Sequence, residues 1–496
     1  MNTDTPASGL IPEKDRQDIQ GFVTSSFGHL AHAAYLFFRF TSRDPARQWL
    51  RQLRPAITSA RSWRRDADHP KELPPQTLSL TFTARGLAAL GLPDCCLSSF
   101  PTEFNQGIAT AARSCDLGDT GDSDPEKWHF GNDRRPMDGL AILCANSEES
   151  LSRDCQHFKQ GLADVAQGTI VAEEFGYRPR DEKEPFGFRD GIAQPSILGI
   201  QKTGISAGEF ILGYGNEYGY CPVAPMLRAE LDPGHLLPDS PNPHFPGERD
   251  FGRNGTFLVY RKLEQDVAGF WNFIGDESRR LRGGVDPDFI VWLAAKMIGR
   301  WPGGAPLTLS PEADDPQLAR ADHFQYRDVD PEGLRCPFGA HIRRTHPRDQ
   351  LRPAGPVESS HMTARHRILR RGRRYGSALF DLSLLDHPNT TEACRLFEQL
   401  RDDRQKRGLH FLCLNASIKS QFEFIQQAWI NNARANGNVD NPDPMASRSA
   451  TATPCSMLIP RTGLDLRTSR LPAFVTVRAG AYLFVPSLSA IQYLAQ

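Results

Sequence analysis

The sequence lacks several features that would place it in a large class of proteins at once. No uncharged apolar run approaches the roughly 18 residues that a membrane-spanning helix needs, so no membrane protein is expected. Basic and acidic residues number 58 and 59, which argues against nucleic-acid or membrane-surface binding through bulk positive charge. The first residues show no basic stretch followed by an apolar one, and we therefore predict a cytoplasmic protein.

Cysteine motifs are also absent. The chain has 10 cysteines, but none forms a Cys-x-x-Cys pair or the Cys/His spacing of a zinc site. We favour reduced and mostly buried thiols over a disulfide framework, because no secretory signal is seen. Glycine and proline, at 41 and 38 residues, are modestly abundant and not periodic, which predicts long loops on an ordered scaffold.

Hydrophobic patterning predicts the same order of elements twice. In each half, the order is strand, helix or helix pair, strand, strand, helix, strand. The strands of the first half are predicted at residues 33–40, 77–83, 140–145 and 169–174, and its helices at 45–53 and 148–165. The strands of the second half are predicted at residues 255–260, 366–369, 409–415 and 474–486, and its helices at 266–274, 288–299 and 418–431.

This order is typical of an α+β fold made of two ferredoxin-like halves, each an antiparallel sheet with helices. We expect the two halves to pack together in a dimeric α/β-barrel-like arrangement. The predicted division is a loose N-terminal segment at residues 1–20, a first half at 21–220 and a second half at 221–496.

Asp190 is a candidate acid/base residue. It stands between Gly187 and Gly191, in a segment that also carries Phe186 and Phe188. Glycines allow positive φ and close approach of the backbone to another group. A turn aspartate that bonds its own backbone explains such a pattern more often than a catalytic carboxylate in a partly apolar pocket does.

His341 is a candidate iron ligand. It follows the Pro- and Gly-shaped segment 336–340 and is followed directly by Arg343 and Arg344. A neutral imidazole near arginines suits axial ligation of a haem, with guanidiniums available to porphyrin carboxylates. Most histidines are structural, however, and His346 competes for the same role.

Six arginines lie within residues 365–374. Such a run is usually a solvated face or a phosphate patch. The apolar pair Ile368 and Leu369 makes a strand with alternating faces plausible, and Arg370 would then point inward.

With these three segments the chain resembles the dye-decolorizing (DyP-type) peroxidase family, in its subgroup with larger insertions. The segments are GFRDG at 187–191, FGAHIRRTHPR at 338–348 and ILRRGRRYG at 368–376. The resemblance extends from about residue 18 to beyond residue 430. It implies an enzyme with haem b bound on the C-terminal half, which reduces hydrogen peroxide and oxidises dyes, phenols or other small organic donors in one-electron steps through compound I.

The resemblance also implies the catalytic residues. Asp190 would be the distal carboxylate and Arg370 the distal arginine, with Arg371 as the alternative one residue away. Gly372 stands where some subgroups have an assisting asparagine, so catalysis would depend on the first two residues.

Other positions follow from the same resemblance. His341 would be the proximal iron ligand, and Arg343 or Arg344 would pair with a haem propionate. Gln426 or Glu423 is predicted to bond behind His341 because of its position on the predicted C-terminal helix.

Phe411 could line the distal face, although a core strand residue explains it equally well. Tyr375 is a candidate radical relay to bulky donors, ahead of Trp301 and Trp429. An oligomer is compatible with the sequence. Two other classes stay open: a haem-handling protein whose peroxidase activity is incidental, and a ferredoxin-like ligand-binding protein without a cofactor.

Overall fold

The computed structural model describes residues 9–61, 73–240, 245–351, 353–447 and 456–496. The strands are β1 His32–Arg39, β2 Gln76–Phe82, β3 Gly139–Ala145, β4 Thr169–Tyr177, β5 Met226–Leu227, β6 Arg249–Asp250, β7 Thr256–Gln265, β8 Leu369–Arg370, β9 Arg373–Tyr375, β10 Gly408–Asn415, β11 Leu458–Ile459, β12 Leu466–Arg467 and β13 Val475–Val485.

The α-helices are α1 Gly21–Thr24, α2 Arg43–Leu53, α3 Ala84–Ala89, α4 Asp94–Leu97, α5 Thr102–Gln106, α6 Ala111–Leu117, α7 Glu148–Asp164, α8 Val267–Arg282, α9 Pro287–Ile298, α10 His341–Thr345, α11 Pro356–Ala364, α12 Thr391–Gln399 and α13 Leu488–Leu494. Two π-helical segments cover Lys419–Glu423 and Ile425–Ile430. Short 3₁₀ turns cover Glu13–Gln17, Arg54–Ala56, Gly121–Ser123, Pro125–Lys127, Ala207–Glu209, Ala229–Leu231, Pro316–Leu318, Leu382–Leu385 and Ala435–Gly437.

The first half is a four-stranded antiparallel sheet in the order β2-β3-β1-β4. Strand β1 is apolar on both faces because both faces are covered. Tyr35 and Phe37 point to one side, while Phe38 points to the other, where Trp49 of α2 and Phe158 of α7 pack on it. Helices α2 and α7 therefore cover the outer face of this sheet.

The second half repeats this order with β13-β7-β10 and then the short strands β8 and β9. Strand β7 pairs with β13 on one side and with β10 on the other, and β10 pairs with both β8 and β9. This is the topology of the first half, strand for strand. The chain is thus an α+β protein of two ferredoxin-like sheets, as predicted.

The two sheets join at both edges and close into one barrel. Phe484 of β13 pairs with Phe82 of β2, and Tyr177 of β4 pairs with Arg374 of β9. The barrel is filled by side chains from both halves, among them Tyr35, Tyr260 and Leu412. Because closure pairs the sheet edges, each half stabilises the other.

Three local predictions differ from the structure. The strand predicted at residues 366–369 shrinks to Leu369 and Arg370, since the His366 ring instead stacks on Phe424 at 3.7 Å. The helix predicted at 418–431 is π-helical. Of the N-terminal segment predicted to be loose, residues 9–20 are packed, because Ile11 and Ile19 are buried in the core.

The division at residues 20 and 220 stays a prediction. The nine cysteines that the structure describes are all unpaired, while Cys455 lies outside the described residues. Within the described ranges, no helix combines the length and apolar character needed to cross a membrane.

Candidate active site

His341 begins α10, and its imidazole is held from behind by Asp443. The Nδ1 atom lies 2.8 Å from Oδ2 of Asp443, whose side chain is fully buried. The other carboxylate oxygen accepts hydrogen bonds from the backbone N–H groups of Met445 and Ala446, at 2.9 and 2.8 Å. A carboxylate at Nδ1 places the ring proton there, so Nε2 keeps its lone pair for a metal.

Each partner shifts the pKa of the other. Burial would lower the pKa of His341, but the charge and hydrogen bond of Asp443 outweigh it and raise that pKa. Burial would raise the pKa of Asp443, yet His341 and Arg344 hold it below its usual value. The pair is therefore an ionised carboxylate that fixes one tautomer and one orientation of the imidazole.

The predicted partners of His341 are wrong. The side-chain amide of Gln426 donates to Oδ1 of Asn431 at 3.1 Å and to the Ala446 carbonyl at 3.3 Å. Glu423 accepts from the Tyr482 hydroxyl at 2.8 Å and pairs with Arg113. Both residues lie on the π-helical segments, where the turn is wider than the α-helical spacing assumes.

Asp443 was missed because its loop looks like an ordinary series of turns. One signal was available: the residue stands between two prolines, Pro442 and Pro444, which restrict the backbone around it. In the structure, this polar stretch is buried. A Pro-bracketed carboxylate in a long loop is a candidate positioning group, because loops of this length are frequently functional.

Asp190 and Arg370 form the second part of the site. Nη1 of Arg370 donates to Oδ1 of Asp190 at 3.0 Å, and the side chains keep 33 and 45% of their surface exposed. Gly187 and Gly191 shape the loop that carries Asp190, with φ of 101° and 77°. A Cβ at Gly187 would come within 2.2 Å of a methyl group of Leu385, so this position requires glycine.

Glu184 anchors the base of the same loop. Its carboxylate accepts from the backbone N–H groups of Phe186 and Phe188, both at 3.1 Å, and from the Gln265 amide at 2.8 Å. Burial raises the pKa of Glu184 to about 7, against the lowering effect of these three donors. The buried carboxyl group of Glu184 therefore fixes the base of the loop that carries Asp190.

The structure distinguishes Arg370 from Arg371. Arg371 is buried, and its guanidinium donates to the carbonyls of Phe22 and Val23 at 3.2 and 3.0 Å. Arg370 pairs in register with Cys413, so it shares a face of the sheet with Cys413 and Phe411. Arg370 thus meets Asp190, while Arg371 holds α1 against the barrel.

The two halves of the site act on one another electrostatically. The charges of Arg370 and Asp190 both reach the His341 imidazole, the first lowering its pKa and the second raising it. The His341 side chain also keeps 33% of its surface exposed. No described residue forms a hydrogen bond with Nε2 of His341. An imidazole of this kind, near a carboxylate and a guanidinium, is a donor set that suits an axially ligated haem.

Arg343 and Arg344 are engaged elsewhere. Arg343 is buried against Asp330, Gln350 and the Cys336 carbonyl, with Nη1 2.7 Å from Oδ2 of Asp330. Arg344 donates from all three nitrogens to main-chain carbonyls at 2.5 to 3.0 Å. These contacts argue against the predicted pairing of either residue with a haem propionate.

The remaining candidates are mostly buried. Burial and the charges of Arg348 and Arg367 lower the pKa of His346 to about 3, so that imidazole is neutral. Tyr375 is 8% exposed, and its ring centroid lies 4.9 Å from that of His410.

Trp301 donates to the Ser310 carbonyl at 2.7 Å. Trp429 packs edge-on against His366, with ring centroids 5.0 Å apart. Both indoles therefore pack within the protein, and no contact within the described ranges joins either one to the Asp190–Arg370 pair.

The chain is similar to known proteins in both sequence and fold. The family model for the DyP dimeric alpha+beta barrel domain matches residues 18–173. Peroxidase 2 of Mycetinis scorodonius is 30% identical over 444 residues, covering 84% of this chain and 76% of that protein.

Solved structures give the same result. An ancestral D-type dye decolorizing peroxidase has a TM-score of 0.74 at 28% identity, covering 96% of this chain and 98% of that one. A dye-decolorizing peroxidase in complex with 2,6-dimethoxyphenol has a TM-score of 0.70 at 26% identity, covering 98% and 100%. The chain belongs to the DyP-type, dye-decolorizing peroxidase family.

Proposed function

We propose that this peroxidase binds haem b, reduces hydrogen peroxide and oxidises dyes, phenols and other small organic donors. DyP-type peroxidases are haem enzymes. The observation that carries the proposal is the His341 imidazole. Its Nδ1 is held by buried Asp443, its Nε2 has no hydrogen-bond partner among the residues that the structure describes, and the charges of Asp190 and Arg370 shift its pKa.

His341 would hold the haem through Nε2. The haem supplies the one-electron redox chemistry when bound. Asp443 positions the imidazole and strengthens it as a donor, since a carboxylate behind a ligating histidine raises its basicity. Phe411 shares the sheet face of Arg370, which supports the prediction that it lines the distal side.

Asp190 would move the proton of the peroxide. Its carboxylate accepts a proton from one peroxide oxygen and returns it to the oxygen that leaves as water. Arg370 holds the carboxylate at 3.0 Å and stabilises the negative charge that develops on the leaving oxygen. A guanidinium suits this role because it does not give up its own proton.

Bulky donors require electron transfer through the protein. Tyr375 on β9, whose ring centroid lies 4.9 Å from that of His410, stays the proposed relay. The oligomeric state and the cytoplasmic location stay predictions.

The test is spectroscopic. Purified protein is supplied with haem b, and hydrogen peroxide is added in a stopped-flow instrument while the Soret band is recorded. We expect a Soret band that shifts rapidly with peroxide and recovers when a phenol such as 2,6-dimethoxyphenol is added. A Soret band that does not change when peroxide is added indicates a haem-handling protein. Failure to bind haem contradicts both the peroxidase and the haem-handling function.

A further inference from the structure

A tyrosine and a histidine form a hydrogen-bonded pair inside the barrel, on the opposite face of the sheet from the Asp190–Arg370 pair. The hydroxyl of Tyr260 on β7 lies 3.0 Å from Nδ1 of His410 on β10, and both side chains are buried. Rings crowd around them: Tyr35 and Tyr375 lie 4.7 and 4.9 Å from the His410 ring, and Phe37 lies 4.8 Å from the Tyr260 ring. The proposed peroxide chemistry uses neither Tyr260 nor His410.

The contacts of His410 fix the direction of this hydrogen bond. Nε2 lies 3.1 Å from the Phe175 carbonyl, which can only accept, so the ring proton is on Nε2. Nδ1 therefore carries the lone pair and accepts the hydrogen bond from the Tyr260 hydroxyl. Burial lowers the pKa of His410 to about 3 and raises the pKa of Tyr260, so both groups rest in their neutral forms.

The pair lies close to the active site along the sheet. His410 is three residues before Cys413, the residue that pairs with Arg370, and three residues of a strand span about 10 Å. Alternation along β10 places His410 inside the barrel, while Phe411 and Cys413 lie on the outer face that Arg370 shares. One layer of sheet thus separates the pair from the site.

We propose that Tyr260 and His410 form an internal redox site, in which Tyr260 supplies one electron to the peroxide-oxidised enzyme and stores the resulting oxidising equivalent as a neutral tyrosyl radical. The inference rests on the proposed function, because the oxidant is the active site after its reaction with peroxide. It adds a second redox residue, distinct from Tyr375.

The step balances within the pair. Tyr260 loses one electron to the oxidised site, and its O–H bond breaks. The proton moves along the 3.0 Å hydrogen bond to Nδ1 of His410, which becomes an imidazolium that still donates from Nε2 to the Phe175 carbonyl. When an electron returns from a donor, the proton returns to Tyr260. This local proton transfer matters because a phenol radical cation is a far stronger acid than an imidazolium. The positive charge left by the electron therefore passes to His410, which keeps its hydrogen bond to the Phe175 carbonyl.

The experiment is electron paramagnetic resonance of the holoenzyme, frozen milliseconds after peroxide is added without a donor. We expect a tyrosyl signal in the wild type that falls at least tenfold in Tyr260→Phe. The matched control is Tyr35→Phe, which should keep the signal. Tyr35 is a buried tyrosine beside His410, but both ring nitrogens of that histidine are already bonded, to the Tyr260 hydroxyl and to the Phe175 carbonyl. Equal signals in wild type and Tyr260→Phe, or loss in Tyr35→Phe or Tyr375→Phe alone, would overturn the assignment.

A second variant covers the case in which Tyr260→Phe folds poorly. Replacing Tyr260 by 3,5-difluorotyrosine keeps the hydroxyl, and fluorine hyperfine splitting of the signal then identifies position 260. A signal without that splitting contradicts the inference. If peroxide leaves the haem spectrum unchanged, the proposed function has failed instead. The labelled protein is then oxidised with a photogenerated ruthenium(III) complex, and the same splitting decides whether the pair is redox-active.

Discussion

The two halves of the barrel have the same strand order but very different connections. In the first half, residues 40–75 and 146–168 join the strands and carry the covering helices α2 and α7. In the second half, the corresponding connections are residues 266–368 and 416–474, and they carry the described helices α8 to α11 and the π-helical segments. In these two connections, the second half carries long insertions that the first half lacks.

The long connections of the second half carry part of the active site. His341 lies in the first insertion of the second half and Asp443 in the next one, while Arg370 lies at the strand edge between them. The first half contributes no strand residue to the site, and Asp190 comes from the segment after its last strand. This difference teaches that closure of the barrel stabilises the fold, while the insertions of the second half supply the histidine and its buried carboxylate. The Asp190–Arg370 pair comes instead from the segment after β4 and from β8.

The largest effect should come from removing His341, the proposed iron ligand in the first insertion of the second half. In His341→Ala, we expect haem affinity to fall more than about 100-fold, because even groups behind a ligand are worth 10- to 100-fold. The comparison variant is His157→Ala on α7 of the first half, which should bind haem normally. Titration with haem, followed at the Soret band, measures both. Normal binding by His341→Ala would show that the axial ligand lies elsewhere.

The next effect separates two neighbouring arginines. Arg370→Leu should keep haem and stability but slow the reaction with peroxide by about 10²- to 10³-fold, the usual cost of one charge-stabilising donor. Arg371→Leu should instead lose about 2 kcal/mol of stability, because the Phe22 and Val23 carbonyls lose their donor inside the protein. Stopped-flow kinetics and thermal unfolding of both variants give the two readouts. If Arg371→Leu slows the reaction with peroxide while Arg370→Leu loses stability, the two arginines have the opposite roles.

A smaller effect concerns the group behind the ligand. Asp443→Asn keeps the shape but removes the charge that faces Nδ1 of His341, so we expect haem affinity or turnover to fall about 10- to 100-fold. The ferric/ferrous potential should rise as well, since the imidazole becomes a weaker donor. Spectroelectrochemistry measures that shift. Gln426→Leu is the matched control. An equal change in that variant would indicate that Gln426 is the partner of His341, as the sequence predicts.

The parts of the site that the sequence could predict are those with strong local patterns. The hydrophobic patterns predict the strands of both sheets. The motifs around Asp190, His341 and Arg370 identify three residues that lie close enough in the structure for the charges of two of them to shift the pKa of His341. The choice between Arg370 and Arg371 needed the register of β8 against β10, because one residue of shift turns a side chain to the other face.

Other positions depend on long-range geometry. Asp443 reaches His341 across 102 residues of chain, and no periodic pattern encodes that contact. Gln426 was predicted from α-helical spacing, which a π-helix does not follow. Arg343 and Arg344 lie beside the ligand in sequence, yet hydrogen bonds to residues 13 and 85 positions away turn both guanidiniums into the protein.

The smallest effect concerns the segment that links the halves, where Glu184 anchors the Asp190 loop. Its pKa of about 7 in the folded protein exceeds the value of about 4.3 expected when unfolded, so the folded state binds the extra proton. The stability from this group is full below about pH 4.3 and is lost as the pH rises through 7.

In Glu184→Gln, which cannot ionise, the decline in unfolding free energy between pH 6 and pH 8 should be smaller than in the wild type by about 1–2 kcal/mol. Gln265→Met should act in the opposite sense, because the amide that it removes lowers the pKa of Glu184. Urea unfolding at both pH values measures the difference. If both variants decline in parallel with the wild type, Glu184 keeps one protonation state across this range, and the loop is held by its main-chain hydrogen bonds alone.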